Sequence, residues 1–142
     1  MNARANAATV VLTNSATQAT MTAAPDPVRP GEFVQYAITV TNSSGSLGSY
    51  TVNAQVPSHN TVPAGSTGQS GSCNGVGNGA CPTGKTIRWS QVIGAGQSVT
   101  PQFAALVDTT NPPPSGTLIR STATANSSTS GATAAADVVA SA

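Results

Sequence analysis

Charge is what this sequence has least of: 142 residues include five basic and four acidic side chains, one histidine and a formal net charge of +1. Arg4, Arg29, Lys85, Arg88 and Arg120 stand against Asp26, Glu32, Asp108 and Asp137, scattered so that no two read as a pair arranged for chemistry. General acid–base catalysis needs a titratable group tuned by close neighbours, and hydrolytic or phosphoryl-transfer sites need carboxylates, histidines or clustered cations. The composition therefore reads as non-enzymatic, with no cofactor and no metal. The same scarcity removes the basic footprint that nucleic acid or anionic lipid requires. No run approaches the roughly 18 consecutive apolar residues of a membrane span. Residues 10–12 are too short an apolar run for the core of an export signal, which leaves the compartment open. Helices are excluded too, because 14 glycines and 10 prolines punctuate the chain and no segment sustains an i, i+3, i+4 apolar pattern.

What the chain does have is alternation with a period of two. Residues 33–40 place Val34, Tyr36, Ile38 and Val40 on one face and Phe33, Gln35, Ala37 and Thr39 on the other. That is strand periodicity. Residues 50–56 repeat it, with Tyr50, Val52, Ala54 and Val56 on one face until Pro57 closes the run. Residues 86–90 put Ile87 and Trp89 inward, and residues 99–107 alternate through Phe103, Ala105 and Val107. Runs at 16–24, 118–125 and 132–140 bring the count to about seven strands. Turn residues separate nearly every pair, as at Asn42-Ser43-Ser44-Gly45, Gly94-Ala95-Gly96 and Ser130-Gly131. Short strands with frequent turns indicate an all-β sandwich. Its expected core is Val34, Tyr36, Ile38, Val40, Val52, Val56, Trp89 and Phe103. Pro25, Pro27 and Pro30 each lack the N–H of a central ladder, so that segment suits an edge strand or a kinked crossover.

An ordered set of short motifs resembles a known module. Pro25-Asp26-Pro27-Val28-Arg29-Pro30-Gly31 and then Tyr36-Ala37-Ile38-Thr39-Val40-Thr41-Asn42 come first. Pro63-Ala64-Gly65, Ile87-Arg88-Trp89, Ala95-Gly96-Gln97-Ser98-Val99-Thr100 and Gly116-Thr117-Leu118-Ile119-Arg120-Ser121-Thr122-Ala123-Thr124 follow in order. Together, over residues 16–142, they resemble the repeat domain of bacterial and archaeal surface proteins known as domain of unknown function 11. Two departures stand out, the proline-rich turn at 111–114 and Arg120-Ser121 where an Asn-Thr pair is usual. The resemblance implies an immunoglobulin-like β-sandwich used as stalk, spacer, filament or adhesive surface, and it carries no catalytic residues.

The candidate sites are few. Cys73 and Cys81 flank a glycine-rich loop that needs an external tie, and a disulfide between them would supply one. As a metal site the pair is poor, since C-x7-C lacks two further ligands and His59 lies in a distant turn. His59 has no acid or nucleophile beside it in sequence, and no serine lies in a G-x-S-x-G or S-x-x-K context. Trp89 and Phe103 are either a sugar-binding platform or, on inward strand positions, core anchors. Asp26 and Asp108 would hold calcium only with several further oxygens. Asn42-Ser43-Ser44 and Asn126-Ser127-Ser128 match the glycosylation pattern.

Residues 1–15 stand apart from residues 16–142, the expected sandwich. Ala8, Val10 and Leu12 alternate with Thr9, Val11 and Thr13 in a strand-like piece that seven strands do not require. It is either an extra edge strand of the same domain or an arm that adds to a sheet edge of a neighbouring subunit, main-chain hydrogen bonds supplying the affinity. The functional expectation is a structural subunit of an extracellular filament, pilus-like fibre or surface layer, self-associating through that arm. Its partners are then copies of itself. A virion decoration or fibre protein on a larger protein shell is the second class, and an adhesin-type module binding glycan or protein through its loops is the third.

Overall fold

Alternation along the chain becomes two faces of a sheet. The computed structural model describes residues 8–12, 16–63, 66–68, 71–73, 80–128 and 130–141, and every regular element among them is a strand. In chain order these are β1 (Ala8–Leu12), β2 (Thr17–Ala24), β3 (Phe33–Asn42), β4 (Gly48–Gln55), β5 (Asn60–Thr61) and β6 (Ser72–Cys73). There follow β7 (Thr86–Ile93), β8 (Ser98–Val99), β9 (Gln102–Val107), β10 (Leu118–Asn126) and β11 (Gly131–Val139). One sheet runs β1-β11-β10-β4-β7-β6, the other β2-β3-β9-β5 with β8 also on β3. Strand pairing is antiparallel throughout both sheets.

All seven expected runs are strands, with two differences of detail. Residues 99–107 do not form one strand: Pro101 has no N–H for the ladder, so the run divides into β8 and β9. The Pro101 carbonyl still accepts the Ile38 N–H at 2.9 Å. The two-residue strands β5 and β6 lie between β4 and β7, in a stretch without sequence alternation. The proline segment is the expected crossover. It leaves β2 through two cis peptide bonds, Ala24-Pro25 and Asp26-Pro27, and crosses to the other sheet. There Val28 N–H donates to the Val139 carbonyl at 2.9 Å and Ser141 N–H to the Val28 carbonyl at 2.7 Å.

Two kinds of packing fill the space between the sheets. All eight expected core residues are buried. Tyr36 stacks on Phe103 with ring centroids 4.8 Å apart, and Trp89 lies 6.1 Å from Phe103. Burying each such side chain contributes on the order of 1.5–3 kcal/mol. Where β2 packs closely against β11 the interior is largely alanine instead, with Ala19 and Ala23 on either side of Met21 on β2, and Ala132, Ala134 and Ala136 before Val138 on β11. Small side chains fill little volume, so that half of the sandwich closes by bringing its sheets together.

Asn42 ties the two sheets at one end. Its Nδ2 donates to the Ile93 and Ser46 carbonyls, each at 2.8 Å, while Oδ1 accepts from Ser44 N–H at 3.0 Å and Ser44 Oγ–H at 2.6 Å. It is fully buried, so the Asn42-Ser43-Ser44 pattern is a structural brace and not an open glycosylation site. Asn126, in the second match, is exposed.

Candidate assembly edge

The alanine-rich β11 strand has partners on both sides. β10 accompanies it from Leu118↔Val139 to Asn126↔Gly131. On its other side β1 covers the stretch from Ala132 to Ala136, and Val28 pairs in parallel with Ala140. Asp26 Oδ1 caps the Val139 N–H at 2.9 Å. In the β1 register Ala8 stands opposite Ala136, Val10 opposite Ala134 and Leu12 opposite Ala132, and these three alanines belong to the buried core. The expected N-terminal strand is therefore the edge of the six-stranded sheet, on β11 of its own chain. Residues 1–7 and 13–15 of the expected arm lie outside the described residues.

Both ends of the link between β1 and β2 lie at one pole. Thr17 Oγ1 and Ser130 Oγ are hydrogen-bonded, joining the start of β2 to the turn before β11. Ser43 N–H donates to the Ala16 carbonyl at 2.8 Å, bringing the β3–β4 loop to the same place. That loop carries Leu47, an apolar side chain 69% exposed.

The remaining candidate residues take structural places. Cys73 and Cys81 form a disulfide with Cα atoms 5.4 Å apart. It fastens β6, which pairs with β7, to a two-way bridge in which Val62 and Cys81 exchange backbone hydrogen bonds of 2.8 and 2.7 Å. Residues 74–79 within its loop lie outside the described residues. Trp89 and Phe103 are fully buried and present no platform to a sugar. His59 adopts a left-handed backbone with φ 61°, and its Nδ1 lies 2.9 Å from the Asn111 carbonyl oxygen. Asp108 N–H donates to the His59 carbonyl at 2.9 Å. Asp26 is committed to Val139, and no group of three His, Cys, Asp or Glu gathers as a metal site among the described residues.

One charged pair was not legible in the sequence. Arg120 and Asp137 stand directly opposite on β10 and β11, with Nη2 2.9 Å from Oδ2, Asp137 buried and Arg120 largely exposed. They lie 17 residues apart in sequence, and only the hairpin register, read as equal distances from the Ser127–Ser130 turn, would have matched them. Burial drives the Tyr36 phenol far above its ordinary range, and the Asp137 charge adds to the shift. Tyr36 Oη has no hydrogen-bond partner among the described residues, so it is a neutral core group. A shallow depression of about 220 Å³ on β4 and β7, lined by Ser49, Tyr50, Thr51, Ser90, Gln91 and Val92, offers hydroxyls and an amide but no general acid or base in the neutral range.

No protein-family model matches the sequence, and no curated protein sequence matches it. Solved structures match in fold. Two crystal structures of BcpA, the major pilin subunit of Bacillus cereus, superpose with TM-scores of 0.56 and 0.54 at 14% identity, covering 87% of this chain and 40% of that one. Spo0M, a sporulation control protein from Bacillus subtilis, superposes with a TM-score of 0.54 at 13% identity, covering 91% of this chain and 51% of that one. This chain thus spans about half or less of the length of each. At such identities the likeness is one of fold, and the chain is an immunoglobulin-like β-sandwich of two antiparallel sheets.

Proposed function

We propose that the chain is a non-enzymatic structural subunit of an exposed assembly, an extracellular filament, pilus-like fibre or surface layer, whose copies join through the N-terminal strand. The observation that carries this reading is the β1 edge. Five residues, linked to the body only through a short connection, supply the partner for five residues of β11 by main-chain pairing. A strand held this way serves equally well on the same edge of another copy. If it leaves, the N–H and C=O groups of β11 from 132 to 136 are left open as a template for another strand. Three further features support the reading. The fold is shared with a major pilin, the described residues gather no catalytic group, and the Cys73–Cys81 disulfide suits an oxidising compartment outside the cytosol. The motif resemblance to a surface-protein repeat domain agrees with them.

The test is removal of residues 1–12 followed by electron microscopy and light scattering of the purified chain. Loss of assembly, not restored when a synthetic peptide of residues 1–14 is added, is the expected result, because a free strand covers the β11 edge without joining two copies. A truncated chain that assembles as the full one does would overturn the reading.

A further inference from the structure

We propose that β1 passes between copies reciprocally, joining two of them about a twofold axis at the Thr17 pole; this rests on the strand-joining reading above. The link is short and the pairing has one polarity, and each leads to a twofold pair. Four residues, 13 to 16, connect Leu12 to Thr17, and such a link spans at most about 17 Å between Cα atoms. Its two ends share a pole, because Leu12 stands opposite Ala132 and Thr17 bonds to Ser130, two residues away. In an exchanged pair Leu12 stands opposite Ala132 of the second copy. The second copy must therefore bring its own Thr17 pole to within that short reach of Thr17 of the first. A twofold rotation then makes the return exchange as well. Both β1 strands are placed and both β11 edges are covered, so the exchange of β1 closes at two copies, and a filament or layer is built of such pairs through their other surfaces.

Polarity leads to the same answer. β2 leaves the Thr17 pole and β11 also starts there. In a head-to-tail fibre, an arm leaving this pole would enter the next copy from its far end and run parallel to β11. The pairing of β1 with β11 is antiparallel, with Val10 opposite Ala134 at its centre. Antiparallel pairing requires the two copies to meet pole to pole. The exposed Leu47 adds a second observation, since its loop is bonded to Ala16 at the root of the link. A twofold pair at this pole would cover two such leucines, one from each copy.

The experiment uses the full chain with Val10→Cys and Ala134→Cys together, the central register pair, oxidised and run on a non-reducing gel. The expected product is a covalent species of twice the 13.9 kDa chain mass and nothing larger. A ladder of trimers and higher species would overturn the twofold pair while leaving the strand-joining reading intact. Linked monomer alone would overturn both. Should the double variant fail to fold, light scattering of the unmodified chain decides. The smallest species expected is a pair, with Leu47→Glu raising its dissociation constant about tenfold or more. A monomer at every concentration, or growth through odd-numbered species such as a trimer, would overturn the proposal.

Discussion

Trp89 Nε1 donates a hydrogen bond to the Gly68 carbonyl oxygen at 2.6 Å, so the largest side chain of the core also holds down the stretch between β5 and β6. Gly71, at the end of that stretch, lies directly against the indole. A Cβ built on Gly71 would lie 2.7 Å from Trp89 Cε2 and closer still to Nε1, a contact that real side chains do not make. Gly71→Ala is therefore expected to displace either the strap or the ring and to lower stability by about 1–3 kcal/mol, the usual range for overpacking. Urea unfolding followed by the single tryptophan's fluorescence measures it, and an unchanged midpoint would contradict the packing described.

Tyr36→Phe tests the buried phenol. The hydroxyl has no partner among the described residues, so its removal is expected to leave neutral-pH stability unchanged or raise it by up to about 1 kcal/mol. The alkaline limb is more specific. Burial first, and the Asp137 charge second, hold the folded phenol's pKa far above its unfolded value. Stability is then full below about pH 10, where the unfolded phenol titrates. Above that pH the unfolded chain loses the proton first, and stability falls by up to about 1.4 kcal/mol per pH unit. Denaturant titrations between pH 8 and 12 should show this fall in the parent chain and a shallower one in Tyr36→Phe.

Asn42 braces two sheets from a fully buried position. Asn42→Ala leaves the Ile93 and Ser46 carbonyls without their donor and is expected to cost about 2–4 kcal/mol, two or more buried hydrogen bonds lost. Expressed in a glycosylating host, the protein should carry no glycan at Asn42. Intact-mass and peptide-mass spectra decide, with any sugar at Asn42 contradicting its burial.

Reduction of Cys73–Cys81, whose sequence separation is 8, should lower stability by about 2–3 kcal/mol through the released loop entropy. A Cys73→Ser, Cys81→Ser variant should show the same shift, and added reductant should then have no further effect. A variant as stable as the parent would show that the bond holds nothing the backbone bridge to Val62 does not.

How much of this was legible in advance differs by kind of feature. The strands at 33–42, 48–55 and 86–93 announce themselves because Val34, Tyr36, Val52 and Trp89 alternate with polar residues, and a period of two is a local property of the backbone. The break at Pro101 was readable from chemistry already present in the sequence, a missing N–H inside an alternating run, although the alternation alone runs straight through it. The Arg120–Asp137 pair and the Asn42 brace were not readable, since each joins residues on different strands whose register no local pattern states. The alanines of β11 were equally silent. Ala132, Ala134 and Ala136 are weakly hydrophobic, and only their placement under β2 marks them as core.

By itself the sequence determined that the chain is all-β, where its longer strands lie, and which side of each faces inward. These are consequences of side-chain periodicity and of proline and glycine placement, which act over a few residues. Only the tertiary structure decided that β1 lies along β11, that Cys73 and Cys81 join a short edge strand to Val62, and that both ends of the β1–β2 link meet at the pole where Thr17 bonds to Ser130. Those facts depend on which strands become neighbours. That choice is made by the summed burial and main-chain pairing of segments far apart in the chain, and it is the neighbour of β11, its own β1 or that of a second copy, on which the proposed assembly turns.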